Sequence, residues 1–185
     1  MACKVAERQA TYGDYLKTPE GAAYQLINGE LIMAPAPGLR HHDIAATIVE
    51  ALRRFVKKRG LGRVFNAPVD VYFSQRETYQ PDIFFVSKEK LHLVGRDKFK
   101  GPPDLIIEIL SPKTARYDLS EKKHVYESYG VKEYWIVDPN EKTIEVFEYS
   151  FKGFVSNAKA EGKGRIGSQV LDGFSVRVEK IFEGV

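Results

Sequence analysis

Leu105-Ile106-Ile107-Glu108-Ile109-Leu110 sets one charged side chain among five aliphatic ones, and the reading of that stretch decides the fold. A run this apolar reads as a strand buried on both faces. An ionised carboxylate there is costly unless a cation or a metal compensates it. Upstream lies a second acid in similar surroundings, Gln80-Pro81-Asp82 followed by Ile83-Phe84-Phe85-Val86. Two acids, each beside or within a buried strand, suggest a shared divalent-metal site. The plainer alternative pairs each acid with a buried Arg or Lys.

Outward from these strands, the chain reads as one domain over residues 1–185, with a core from about 24 to 149. Residues 11–17 predict a short helix ended by Thr18-Pro19. Tyr24 to Met33 predicts a hairpin, because Leu26-Ile27 and Leu31-Ile32 flank Asn28-Gly29, the pair favoured in type I′ turns. Pro35 and Pro37 then break the chain. From His41 to Arg59 the period is helical, with Ile44, Ile48, Leu52 and Phe55 on one stripe and Gly60 as a stop. Arg63 to Ser74 and the residues after Pro81 read as strands, and Ser87 to Pro103 as a loop.

Asp118 and Glu121 have the spacing of a capping box, so a helix is expected from Asp118 to Gly130. Val131 to Val137 reads as a second strand buried on both faces, and Thr143 to Tyr149 as its partly exposed neighbour. Residues 150–168 read as a polar surface excursion, and Val176 to Phe182 as a returning strand or short helix. Helices alternating with strands predict an α/β fold: a mixed β-sheet flanked by helices, with the N-terminal hairpin as an extension.

Composition excludes some classes. Hydrophobic residues at 43% and charged residues at 29% describe an ordinary globular protein. The single cysteine, Cys3, rules out an internal disulfide framework and fits a reducing, cytoplasmic setting. No stretch approaches the roughly 18 apolar residues of a membrane span, and no apolar signal-peptide core opens the sequence. The formal charge of +3 permits a nucleic-acid partner without requiring one.

Counted at about 100° per residue from Leu119, Lys122, Tyr126 and Tyr129 share one helix quadrant while Lys123 points away. Lys122 is thus expected on the face against the sheet, where it either snorkels to the rim or pairs with Asp82 or Glu108.

The ordered set Gln80-Pro81-Asp82, Glu108-Ile109-Leu110-Ser111-Pro112, Asp118 through Lys122 to Tyr126, and Gly130-Val131-Lys132-Glu133-Tyr134-Trp135-Ile136-Val137-Asp138-Pro139 resembles the Uma2 family. The likeness spans about residues 10 to 150 and takes in Asn28-Gly29-Glu30 and His41. That family is classed with the PD-(D/E)XK nuclease superfamily of restriction endonuclease-like proteins. The resemblance implies a restriction-endonuclease-like core that hydrolyses phosphodiester bonds of DNA with Mg²⁺ or Mn²⁺. Asp82, Glu108 and the backbone carbonyl of Ile109 would hold the metal. It would polarise the scissile phosphate, hold the attacking water and neutralise developing charge.

One departure stands out. The superfamily pattern places Lys two residues after the second acid, where this chain has Leu110. Lys122, on the adjacent helix as in Uma2 relatives, is the expected replacement; Lys113 and Lys123 are weaker candidates. Further candidates are His41, on the apolar side of the long helix, Glu30 after the hairpin turn, and Asp70 one strand before Asp82. Glu50 points away from the apolar stripe, and Gln25 stands where the family often has an acid. Two basic clusters could contact phosphates: Lys88, Lys90, Arg96, Lys98 and Lys100, and Arg53, Arg54, Lys57, Lys58 and Arg59. They equally suit a solvated loop and a helix C-terminus. Cutting both strands of a duplex would favour a homodimer. A non-catalytic nucleic-acid-binding protein and a structural Lys122–carboxylate network are the competing readings.

Overall fold

The apolar run around Glu108 forms a strand with neighbours on both sides. The computed structural model describes residues 9–19, 22–34, 36–112 and 115–184; Cys3, Pro35 and Lys113 lie outside the described residues. The elements are α1 (Tyr12–Tyr15), β1 (Tyr24–Ile27), β2 (Glu30–Met33), α2 (Leu39–Arg59), β3 (Gly62–Asn66), β4 (Asp70–Ser74), β5 (Glu77–Tyr79) and β6 (Ile83–Ser87). A 3-10 turn over Lys88–Leu93 leads to β7 (Lys98–Lys100), β8 (Leu105–Ile109), α3 (Ala115–Leu119), α4 (Glu121–Ser128), β9 (Glu133–Asp138) and β10 (Thr143–Ser150). The chain continues through β11 (Gly153–Glu161), β12 (Arg165–Gly167), β13 (Ser175–Arg177) and α5 (Val178–Ile181).

Six strands form one sheet in the order β11-β10-β9-β8-β6-β3, and five form a second in the order β2-β1-β5-β4-β7. The six-stranded sheet is mixed, because β8 runs antiparallel to β6 but parallel to β9. A parallel neighbour demands a crossover, and α3 with α4 supplies it. Alternation along β8 divides the core. Leu105, Ile107 and Ile109 pack with Ile44, Ile48 and Leu52 of α2. Ile106 packs the other way, with Val71 and Tyr79 of the second sheet and with Val125 and Tyr126 of α4. Glu108, two residues on, shares the face of Ile106. Ile44, Ile48 and Leu52 are wholly buried, each contributing about 1.5–3 kcal/mol of burial. The fold class is the expected one: mixed sheets flanked by helices.

The hairpin forms as predicted, with φ of 52° at Asn28 and 75° at Gly29, both positive as a type I′ turn requires. It joins the second sheet through β1, where Leu26 pairs with Thr78 of β5. The long helix ends at Gly60 in the left-handed region.

Four expectations are corrected. Arg63 to Ser74 is two strands in different sheets, divided at Ala67-Pro68, where proline has no N–H for a ladder. Ser87 to Pro103 is not plain loop: β7 pairs in parallel with β4, and Phe99 is buried in the second core. The helix after Pro112 is broken at Ser120 into α3 and α4, so Asp118 lies inside α3 rather than capping a helix. Residues 150–168 contain β11, paired along β10 from Thr143↔Glu161 to Ser150↔Gly153. Its mostly exposed side chains give no alternating apolar signal. Among the described residues no helix is long and apolar enough to cross a membrane.

Candidate functional site

The register of two strands brings the acids together. Ile83 pairs with Ile107, so the residue before β6 lies beside the end of β8. The Asp82 amide donates to Glu108 Oε2 at 3.4 Å, and the Ile109 amide donates to Asp82 Oδ2 at 2.7 Å. His41, on the first turn of α2, places Nε2 3.1 Å from that same Asp82 oxygen. The Leu110 amide turns the opposite way, to the Val137 carbonyl. In an extended strand the N–H and C=O of one residue point to the same side, so the Ile109 carbonyl is turned toward Asp82, beyond the end of β6.

Glu108 is 2% exposed. Its Oε1 accepts from Lys122 Nζ at 3.1 Å and from the Tyr126 hydroxyl at 2.7 Å. Lys122 Nζ also lies 2.8 Å from Asp118 Oδ1. Beneath them the Tyr134 hydroxyl donates to the Asp118 carbonyl at 2.9 Å, tying α3 to β9. One buried ammonium thus meets two buried carboxylates, with Asp82 close enough to act on both.

Charge and burial shape the titrations. Burial pushes the Glu108 carboxyl up; Lys122 opposes this, while Asp118 and Asp82 push it further. Burial alone would lower Lys122, but Glu108 and Asp118 outweigh it and keep the amine protonated. His41 follows the same logic: burial disfavours its charge, and Asp82 then Glu108 reverse the sign and raise it. Burial first and Glu108 second hold Tyr126 far above the usual phenol range, so it remains a neutral donor.

Glu108, Lys122 and His41 line a cleft of about 1260 Å³, with Tyr126 buried behind them. Asp82, Glu108, Ile109, Asp118 and Lys122 form its chemical wall. A second polar group lines the same cleft. There Asp70 Oδ1 accepts from the Tyr15 hydroxyl at 2.7 Å and from Gln80 Nε2 at 2.9 Å, and Gln25 Oε1 accepts from the Gln80 amide at 3.2 Å.

Of the residues expected from sequence, the structure brings Asp82, Glu108, Ile109, Lys122 and His41 together. Asp70 shares the cleft but is bonded to Tyr15 and Gln80. Glu30 is exposed on β2 and does not line the cleft. Lys123 lies with Nζ 3.5 Å from the centre of the Phe147 ring, away from the acids. Asp118 and Tyr126 were not anticipated as site residues. The Asp118–Lys122 spacing of four, which places side chains together on a helix, was the available signal.

Among the described residues no group of three or more His, Cys, Asp or Glu is arranged to hold a metal. A cation here would rest on Asp82, Glu108 and the Ile109 carbonyl, an all-oxygen set. That set fits Mg²⁺ or Mn²⁺ better than a thiophilic metal, since Mg²⁺ is commonly bound by one or two carboxylates and keeps several waters.

Comparison with known proteins bears on the fold and the family. The solved structure of a "putative nuclease belonging to DUF820" from Anabaena variabilis is similar, with a TM-score of 0.76 and 21% identity. The likeness covers 93% of this chain and 97% of that one, and at this identity it is a likeness of fold. No curated protein matches the chain. The model of the Uma2 family, described as "Putative restriction endonuclease", matches residues 11–179, a span that holds every residue of the site from His41 to Tyr126. The chain therefore belongs to the Uma2 family.

Proposed function

We propose that the protein is a divalent-metal-dependent endonuclease that hydrolyses phosphodiester bonds of DNA. The observation that carries this reading is the contact of Asp82 with Glu108 in an open cleft, with Lys122 3.1 Å from the second acid. Family membership and the family's description point the same way. Asp82, Glu108 and the Ile109 carbonyl hold Mg²⁺ or Mn²⁺, which when bound supplies Lewis-acid polarisation of the phosphate and an activated water.

The chain's own groups prepare the site. Ile109 and His41 both engage Oδ2 of Asp82, while Lys122 and Tyr126 both engage Oε1 of Glu108. Among the described residues each carboxylate is fixed mainly through one oxygen, and Glu108 Oε2 has the long contact from the Asp82 amide. Lys122 supplies the cation that Leu110 does not, stabilising negative charge that develops on the phosphoryl oxygens. Asp118 holds that ammonium from its other side. The 185 residues act as one nuclease-like domain in the reducing cytosol, and two copies related by symmetry cut the two strands of a duplex.

Two observations favour a second reading, a nucleic-acid-binding protein without catalysis. Leu110 stands at the usual lysine position, and Lys122 is engaged by two carboxylates.

Calorimetric titration with Mg²⁺ and Mn²⁺, with and without a short DNA duplex, tests the proposal. Folded wild type should bind metal, Glu108→Gln should not, and wild type alone should then cut DNA. Binding of DNA without cleavage in either metal selects the second reading. Absence of metal binding even with duplex present sinks the metal-dependent nuclease and makes a buried structural network the better reading.

A further inference from the structure

A second groove of about 730 Å³ continues from the catalytic cleft along the outer side of α2. The two share Pro37, His41, His42, Ala67 and Asp82, so the surface is unbroken from the carboxylates outward. Beyond His42 its wall is Ala46, Glu50, Arg53, Arg54 and Lys57, residues three or four apart that form one stripe of the helix. Val49, 8% exposed, lies along its apolar base. Arg53, Arg54 and Lys57 are exposed; the carboxylates that line the groove with them are Glu50, on the same stripe, and Asp82, at its junction with the cleft. Among the described residues none of the three forms an ion pair; Arg53 donates to Asn66 Oδ1 at 2.8 Å.

Complementing the helix dipole accounts for Lys57 in the last turn. It does not account for Arg53 and Arg54 further back, nor for their alignment with the cleft. A row of unneutralised cations leading away from a phosphodiester-cleaving site is complementary to a polyanionic backbone. We infer that this groove carries the phosphate backbone of the DNA strand flanking the scissile bond. The inference rests on the nuclease reading of the cleft. From His41 to Lys57 the helix rises about 24 Å at ~1.5 Å per residue. That reach matches about seven nucleotides at ~3.4 Å each.

The test is fluorescence anisotropy of the full chain with a labelled duplex of about 20 base pairs in EDTA, repeated across salt concentrations. The variants are Arg54→Ala/Lys57→Ala and, as a charge control remote from the groove, Lys159→Ala, with folding checked by circular dichroism. The double variant should bind about tenfold more weakly, and the slope of log K against log salt should shrink by about 1.8, the loss of two phosphate contacts. Lys159→Ala should match wild type. If the double variant keeps wild-type affinity and slope while wild type binds, the groove assignment is overturned and the nuclease reading stands. An equal loss in Lys159→Ala also overturns it, since the effect is then net charge alone. If wild type binds no duplex in EDTA, nor when Ca²⁺ replaces the EDTA, the nuclease reading falls and takes the groove with it.

Discussion

Lys122 Nζ lies 2.8 Å from Asp118 Oδ1, and the two residues belong to different helices, α3 and α4, on either side of the break at Ser120. The ion pair therefore fixes the angle at which the amine is presented as well as its charge. Because Glu108 is the amine's other partner, the break in the helix and the acid on the central strand are held in one network.

Removing the cation should expose that dependence. In Lys122→Met, Glu108 and Asp118 remain buried but lose the ammonium that faces both. We expect a loss of about 3–5 kcal/mol, the cost typical of breaking a buried pair from one side. Urea unfolding measures it; a loss below ~1 kcal/mol would mean that the network is wetter and looser than its burial indicates.

Tyr126→Phe is a gentler probe of the same acid. It removes the 2.7 Å hydrogen bond to Glu108 Oε1 and nothing of similar volume. The expected destabilisation is about 1–2 kcal/mol, with metal affinity reduced because one constraint on the carboxylate is gone. Paired denaturation and calorimetry on the one variant separate the two effects.

Asp104 should govern acid stability. Its carboxylate is buried, which opposes ionisation, but Lys132 at 2.9 Å, the Ser87 amide at 2.8 Å and Lys90 at 3.2 Å outweigh burial and lower its pKa from 3.8. A carboxyl with a depressed folded pKa adds stability above its unfolded value, and that stability is lost as pH falls through the folded value. The stability gap between wild type and Asp104→Asn should therefore be full at neutral pH and shrink below 3.8. A gap constant from pH 7 to 2 would contradict the pairing.

Gly62 opens β3 at φ 147°, and a Cβ there would sit 2.1 Å from the Val86 carbonyl oxygen. Gly62→Ala should cost about 3 kcal/mol, as backbone strain adds to the clash across the β3–β6 pair. Chemical denaturation with an unchanged m-value is the check.

Much of this arrangement was legible in residues 80–137 because burial on both faces of a strand leaves an unmistakable apolar run. Glu108 and Asp82 stood out against that background, and Lys122 followed from helical spacing. Asp118 did not, because Asp-x-x-Glu reads the same whether the Asp caps a helix or turns inward to a lysine. The count from Leu119 placed Lys122 and Tyr126 inward, as they are, although it crossed the break at Ser120 and Leu119 itself is 52% exposed. The division of β3 from β4 was signalled by Pro68 and passed over. β11 left little signal, for an edge strand that buries only the Phe154, Ala158 and Ala160 side chains in part has scant apolar alternation to show. Glu133, wholly buried, accepts from Trp135 Nε1 at 2.6 Å and from the Gln169 amide at 2.7 Å. That anchor for the C-terminal segment joins residues far apart in sequence, which no local pattern reveals.

The pairing of Ile83 with Ile107 also makes the cleft a sensor of its own assembly. A slip of one residue between β6 and β8 would swing Glu108 into the layer packed on α2 and carry Asp82 out of reach of the Ile109 amide. A nascent or misthreaded chain thus holds two ordinary acids with no shared chemistry. On the nuclease reading proposed above, hydrolytic capacity would arise only once the central sheet has closed in register, and half-folded copies would cut nothing.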